Sequence, residues 1–230
     1  MSAPVPGWLQ ALTDRLDTFP PLFPQEAPQA PPGSRRSAVL ILFGPVGQVE
    51  GRYDDELARV DLLLTERSPD MRSHPGQVSF PGGSIDPGDA GPVEAALREA
   101  EEETGLDPSG VEVLGLLPEA YLAPSGFVVT PVLAWWAQPS AVGPVDPREV
   151  ARVARVPVAD LVAGPNRFRV RHPSGYIGPG FLVDGLFVWG ATAQMLARVL
   201  TTAGLERPWD TDRFEPLPDV QVALRERRSP

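Results

Sequence analysis

The sequence contains no cysteine, which excludes disulfides, thiol nucleophiles and thiolate metal sites. That is compatible with a reducing compartment. Lysine is absent too, so all 20 basic residues are arginine, and any phosphate contact must be a guanidinium fork. With 29 prolines, this reads as a genomic composition bias rather than a function. The only two histidines, His74 and His172, are isolated from each other and make a poor metal case. No apolar run approaches the roughly 18 residues of a membrane span. Met1-Ser2-Ala3-Pro4 lacks the basic start and apolar core of a signal peptide, so a soluble, cytoplasmic protein with no membrane partner is expected. Positive charge is in deficit as well. A net charge of −10 argues against a nucleic-acid partner, and a polyphosphate substrate would need a divalent cation and clustered arginines to overcome that field.

What is present begins with an apolar content of 42% over 230 residues, enough for one large domain with extensions. Residues 1–36 combine a short amphipathic helix at Trp8, Leu9, Leu12 and Leu16 with a Pro-rich arm. The arm could pack on the domain or on a second subunit of a homodimer. Residues 37–206 carry the periodic elements. Apolar runs of strand length stand at 38–43, 60–65, 77–80, 111–117, 127–136 and 149–156, with a hairpin or late strand at 181–189. Pro131 suggests an edge or a bulge in its strand. Helices are expected at 92–104, with Pro92 in the first turn and Gly105 just past the end, at 158–163 and at 191–202. His172 falls in what reads as an Arg-rich loop (Arg167, Arg169, Arg171). Residues 207–230 read as a charged, Pro-rich and loosely packed tail. Strands on both sides of a central helix point to a layered α/β fold.

The chemistry lies in residues 63–106. At about 100° per helical residue, Glu99, Glu102 and Glu103 share one helix face, while Glu101 points away. Like charges so spaced destabilise a bare helix and call for water, basic partners or a hard cation. An acidic helix face is usually only solvated. The run Arg98-Glu99-x2-Glu102-Glu103-x-Gly105-Leu106, preceded by Gly83, nevertheless resembles the box of the Nudix hydrolase family, G-x5-E-x7-R-E-U-x-E-E-x-G-U with U bulky and apolar. Ala100 is small for the first U. The first half departs: with five residues intervening, Gly83 leads to Asp89, not Glu, and the spacing to Arg98 is one residue too long. Glu94, one turn before Arg98, could supply that carboxylate. Upstream, Leu63-Leu64-Thr65-x-Arg67-Ser68-x3-Arg72-x3-Gly76-x-Val78-x-Phe80-Pro81-Gly82-Gly83 is similar to the string that precedes the box in coenzyme A pyrophosphatases.

The resemblance implies an α/β/α sandwich around a mixed β-sheet. It also implies Mg²⁺- or Mn²⁺-dependent hydrolysis of the diphosphate of coenzyme A or a related nucleotide. On it, Glu99, Glu102, Glu103 and the Gly83 carbonyl would hold the metal, and Arg98 would orient a ligand Glu, unless it only pairs with Glu94. The general base would be a box Glu such as Glu102 or a later one, for which Glu149 stands at a plausible place. Arg67 and Arg72 would bind phosphate, or form salt bridges with Asp70 or Glu66. Ser125 and Phe127 would line the substrate cleft, or Phe127 would be core. The Arg167–Arg169–Arg171 cluster would meet a 3′-phosphate or merely balance the acidic surface. Alternatives are hydrolysis of NADH, ADP-ribose or a nucleoside diphosphate sugar, and a catalytically silent nucleotide-binding module, although such a module usually lacks a box Glu or Arg.

Overall fold

The chain enters the fold through α1 (Gly7–Thr13), whose Leu9 and Leu12 are fully buried, as is Leu22 beyond it, with Phe19 also buried. Ala3 pairs its N–H with Ala137 O and its carbonyl with the Trp135 indole, both at 2.9 Å. The N-terminal segment therefore packs on its own domain. This computed structural model describes residues 2–23, 29–46, 56–71, 74–173 and 175–218. The expectations for Arg72 and for the end of the tail, 219–230, lie outside them.

Eight strands form the main sheet: β1 (Arg35–Pro45), β2 (Val60–Arg67), β3 (Val78–Ser79), β4 (Gly82–Ser84), then, after α2 (Pro92–Thr104), β5 (Val111–Leu116), β6 (Ala120–Leu122), β7 (Phe127–Trp136) and β8 (Val150–Pro157). Their path is β3-β2-β1-β7-β5, with β4 on β1, β6 on β7 and β8 on β2. The β1–β7 pair is parallel and the others are antiparallel, so the sheet is mixed. Its central strands are apolar on consecutive residues because both faces are covered. Ala38, Leu40, Leu42, Val132, Ala134 and Trp136 pack under α2, whereas Ile41, Phe43, Leu133 and Trp135 face the opposite core. That second core takes in α1, α3 (Val158–Val162) and α4 (Gly190–Thr202). The helix–sheet–helix layering is that of an α/β sandwich.

Three expectations change. The strand with Pro131 is no edge strand, since β7 lies between β1 on one side and β5 and β6 on the other; of the two expectations it is the irregular pairing that is seen, a register shift on β5 between Val113 and Gly115. Pro131 O accepts the Leu117 N–H at 2.9 Å, so its missing N–H faces the break between β5 and β6, where no ladder partner requires it. The Arg-rich loop is a strand, β9 (Arg167–Arg171), with Phe168 and Val170 buried between arginines. It joins β10 (Ile177–Val183), β11 (Leu186–Val188) and β12 (Phe214–Glu215) in a four-stranded sheet. Its basic residues disguised a period-2 pattern. The described part of the tail is not loose either, because β12 pairs with β9, and Arg167 packs against Trp209 at 4.6 Å. Among the described residues no helix is long and apolar enough to cross a membrane.

Candidate active site

The site grows from a split in the sheet. β1 pairs with β2 only over Phe43–Pro45; nearer its start, its partner is β4. Meanwhile β2 runs on beside β3 and β8. Leu40 donates to Pro81 O at 2.8 Å, drawing the Gly82-Gly83 backbone against β1. At Gly82 a Cβ would overlap Ala38 O and Val39 Cα, and its φ of 152° lies in the region that disfavours side chains. Gly82→Ala is expected to cost about 3 kcal/mol, roughly 10 °C in Tm, read by thermal unfolding.

α2 lies over this opening. Its inward stripe is Ala95, Ala96 and Ala100, small enough to bring the helix backbone close to β1, and the left-handed Gly105 ends it with an N–H to Glu101 O at 2.8 Å. Glu103 then reaches the glycine strand, where its Oε2 accepts the Gly82 N–H at 3.2 Å. The Glu99 carboxylate occupies the space that a side chain on Gly83 would take. Burial pushes the Glu103 carboxyl up to about 7; the Glu99 charge adds to this, while the Gly82 N–H and Arg67 oppose it. Burial also raises Glu99, against the pull of Arg98.

Arg98 is the hub. Its Nε and Nη2 grip Asp89 at 3.0 and 3.1 Å, its Nη1 reaches Glu102 at 3.0 Å and Glu99 at 3.2 Å, and Nη2 donates to Ser84 O at 3.1 Å. The Arg98 hydrogen bonds hold Asp89 below the usual carboxylate range. So Asp89 partners Arg98 despite the extra residue of spacing. Glu94 does not; it turns back to accept the Ala90 N–H at 2.5 Å. Glu102 is 59% exposed and drawn to Arg98. Consequently, among the described residues, no three Asp, Glu or His side chains already converge as a metal cluster.

Two expected residues come in from other strands. Glu149, exposed at the head of β8, accepts the Ser68 N–H on its carbonyl at 2.9 Å, and its charge adds to the repulsion on Glu103. Arg67 ends β2 near Glu103, with a buried Nε that has no acceptor. Among the described residues it forms no salt bridge, so the bridge to Asp70 or Glu66 is not made. Ser125 and Phe127 are held elsewhere: the Arg35 guanidinium lies 4.1 Å from the Phe127 ring centre and donates to Ser125 O at 3.1 Å. Alternation along β7 puts Phe127 on the face of Leu133 and Trp135, away from α2. His172 is buried and stacked on Trp189 at 5.6 Å.

Glu99 and Glu103 offer paired hard oxygen donors whose burial and mutual repulsion a divalent cation would relieve, so the residues fit Mg²⁺ or Mn²⁺. Without a cation, stability should depend on pH with a defined sign. Because the folded Glu103 value lies above the ordinary 4.5, its contribution is present below about 4.5 and lost as pH rises through about 7. The metal-free protein should therefore gain Tm from Glu103 as pH falls from 8 to about 5, and Glu103→Gln should flatten that slope in thermal scans.

A NUDIX domain matches residues 24–176. A protein of Klebsiella aerogenes named Uncharacterized Nudix hydrolase NudL is 45% identical over 122 residues, covering 53% of this chain and 91% of its own. Its namesake from Shigella flexneri serotype 5b is 35% identical over 202 residues, covering 85% and 96%. Among solved structures, the M. smegmatis Nudix hydrolase RenU superposes with a TM-score of 0.51 at 20% identity, covering 77% of this chain and 90% of its own, a likeness of fold alone.

Proposed function

The chain belongs to the Nudix hydrolase family, and on that premise we propose that it hydrolyses the diphosphate of coenzyme A to 3′,5′-ADP and 4′-phosphopantetheine. The observation that carries this reading is Arg67. It lies in the string 63–83 that resembles coenzyme A pyrophosphatases, its positive charge acts on Glu103, and it forms no salt bridge among the described residues. A guanidinium so placed suits a phosphoryl oxygen. Arg72, in the same string, would take a further phosphate.

Glu99 and Glu103 would hold the cation, with Glu102 and the Gly83 carbonyl as further oxygen donors. When bound, Mg²⁺ or Mn²⁺ supplies charge neutralisation at the phosphoryl oxygens and lowers the pKa of water. Arg98, anchored by Asp89, fixes the angle of Glu99 and restrains Glu102. Arg67 binds the diphosphate. Glu149, an exposed carboxylate whose charge acts on Glu103, takes the proton of the attacking water.

Arg67→Ala should raise KM for the diphosphate substrate and lower kcat/KM about tenfold, the scale of one charge-assisted hydrogen bond. Unchanged steady-state kinetics would count against its phosphate role. The deciding experiment is chromatographic product analysis with Mg²⁺ or Mn²⁺ on coenzyme A, NADH, ADP-ribose and ATP. Formation of 3′,5′-ADP chiefly from coenzyme A supports the proposal. Faster turnover of another compound keeps the family and discards this substrate; no turnover in either metal favours a binding module.

A further inference from the structure

Glu149 is set in place from outside both motif strings. The residues before it, Asp146-Pro147, are the types favoured at the first two positions of a type I turn. The Asp146 carbonyl accepts the N–H of Glu149 at 2.9 Å and of Val150 at 3.0 Å. Its carboxylate accepts the Arg148 N–H at 2.9 Å and grips the Arg148 guanidinium, Nε at 3.0 and 3.1 Å and Nη2 at 2.7 Å. The turn is tied at both ends to the site itself. Val145 donates to the backbone carbonyl of Glu103 at 3.3 Å, and the Glu149 carbonyl accepts from Ser68, the neighbour of Arg67, at 2.9 Å. Glu149 is thus slung between the end of α2 and the end of β2. The grip on Arg148 also engages the guanidinium next to Glu149 in sequence, leaving no salt bridge to Glu149 among the described residues.

We propose that Asp146 is a positioning residue, which closes the 146–149 turn and occupies Arg148 so that Glu149 can act as base. This rests on the reading of Glu149 above. In the step it serves, the water oxygen bonds to phosphorus and the water proton passes to the Glu149 carboxylate. The bridging P–O bond breaks, its electron pair leaving on the departing phosphate.

The test is a double-mutant cycle of Asp146→Ala and Glu149→Gln. Kinetics are measured with Mg²⁺ on whichever of coenzyme A, NADH, ADP-ribose and ATP the wild-type protein turns over fastest, alongside Tm. Asp146→Ala is expected to lower kcat about 10- to 100-fold at near-constant KM, the scale of a misplaced catalytic group. Asp146→Asn, which keeps an acceptor for the Arg148 N–H and loses the ionic grip, should fall between. The double variant should be no slower than Glu149→Gln alone, because one residue acts through the other. Losses that multiply in the double variant overturn the proposal, as does wild-type kcat in Asp146→Ala. A wild-type rate in Glu149→Gln removes the base itself, and is distinguishable because that variant alone reports it. If Asp146→Ala does not fold, the same cycle run with Asp146→Asn decides.

Discussion

Glu103→Gln is expected to lower kcat by about 10³-fold, the effect of removing one preorganised electrostatic group at a reacting phosphoryl centre. The fold should survive. Glutamine keeps an acceptor for the Gly82 N–H and removes a charge whose carboxyl burial has pushed up to about 7. At pH 8, Tm should therefore equal or exceed that of the wild type. The built-in control is Glu101→Gln: Glu101 is exposed and makes no hydrogen bond to the glycine strand, so its loss should leave kcat within about twofold, as for an ordinary surface change. Steady-state kinetics over a Mg²⁺ titration separate the two. Wild-type turnover with unchanged metal dependence in Glu103→Gln would remove Glu103 from the mechanism.

Gly83→Ala should cost about 10²-fold in kcat, and for a reason that a sequence motif alone does not convey. The added Cβ would overlap the Glu99 carboxylate, so the carboxylate has to leave its place beside the strand. Gly83 is outside the left-handed region, so its backbone accepts alanine and the change falls on the site rather than on the fold. Gly82→Ala is the opposite case, because the Cβ meets β1 backbone that cannot yield. Measuring kcat and Tm for both variants gives the contrast: low activity with near-native Tm at Gly83, and a large fall in Tm at Gly82. A fully active Gly83→Ala would show that Glu99 need not lie where it does.

Much of this was legible before any coordinates. The helix bounds of α2 follow from Pro92 and Gly105, and its acidic face follows from the 3.6-residue period. The central strands β1, β2 and β7 announced themselves as continuous apolar runs because they are covered on both faces, whereas the short β4 and β6 carry no such run. β9 did not. Arg167 is 2% exposed, packed against Phe181 at 5.2 Å and Trp209 at 4.6 Å, and an arginine buried by aromatic partners looks like a surface residue in sequence. Likewise, the sequence offered Arg98 a ligand Glu or Glu94 as its partner. Helical spacing favoured Glu94, yet the turn at 86–89 delivers Asp89 to both forks of the guanidinium.

The sequence by itself determined which residues could do chemistry: the carboxylates on one face of α2, the paired glycines, the arginines of the string 63–83, and the family these resemble. Periodicity and motif spacing are local properties, and a linear chain displays them. Only the tertiary structure decided which groups meet. Glu103 gains its raised carboxyl from burial against Gly82, Glu102 is turned to Arg98, Glu149 arrives from β8, and Phe127 is carried to the other face of the sheet. Those outcomes depend on desolvation and on through-space charge, which arise when the split between β1 and β2 brings distant segments together.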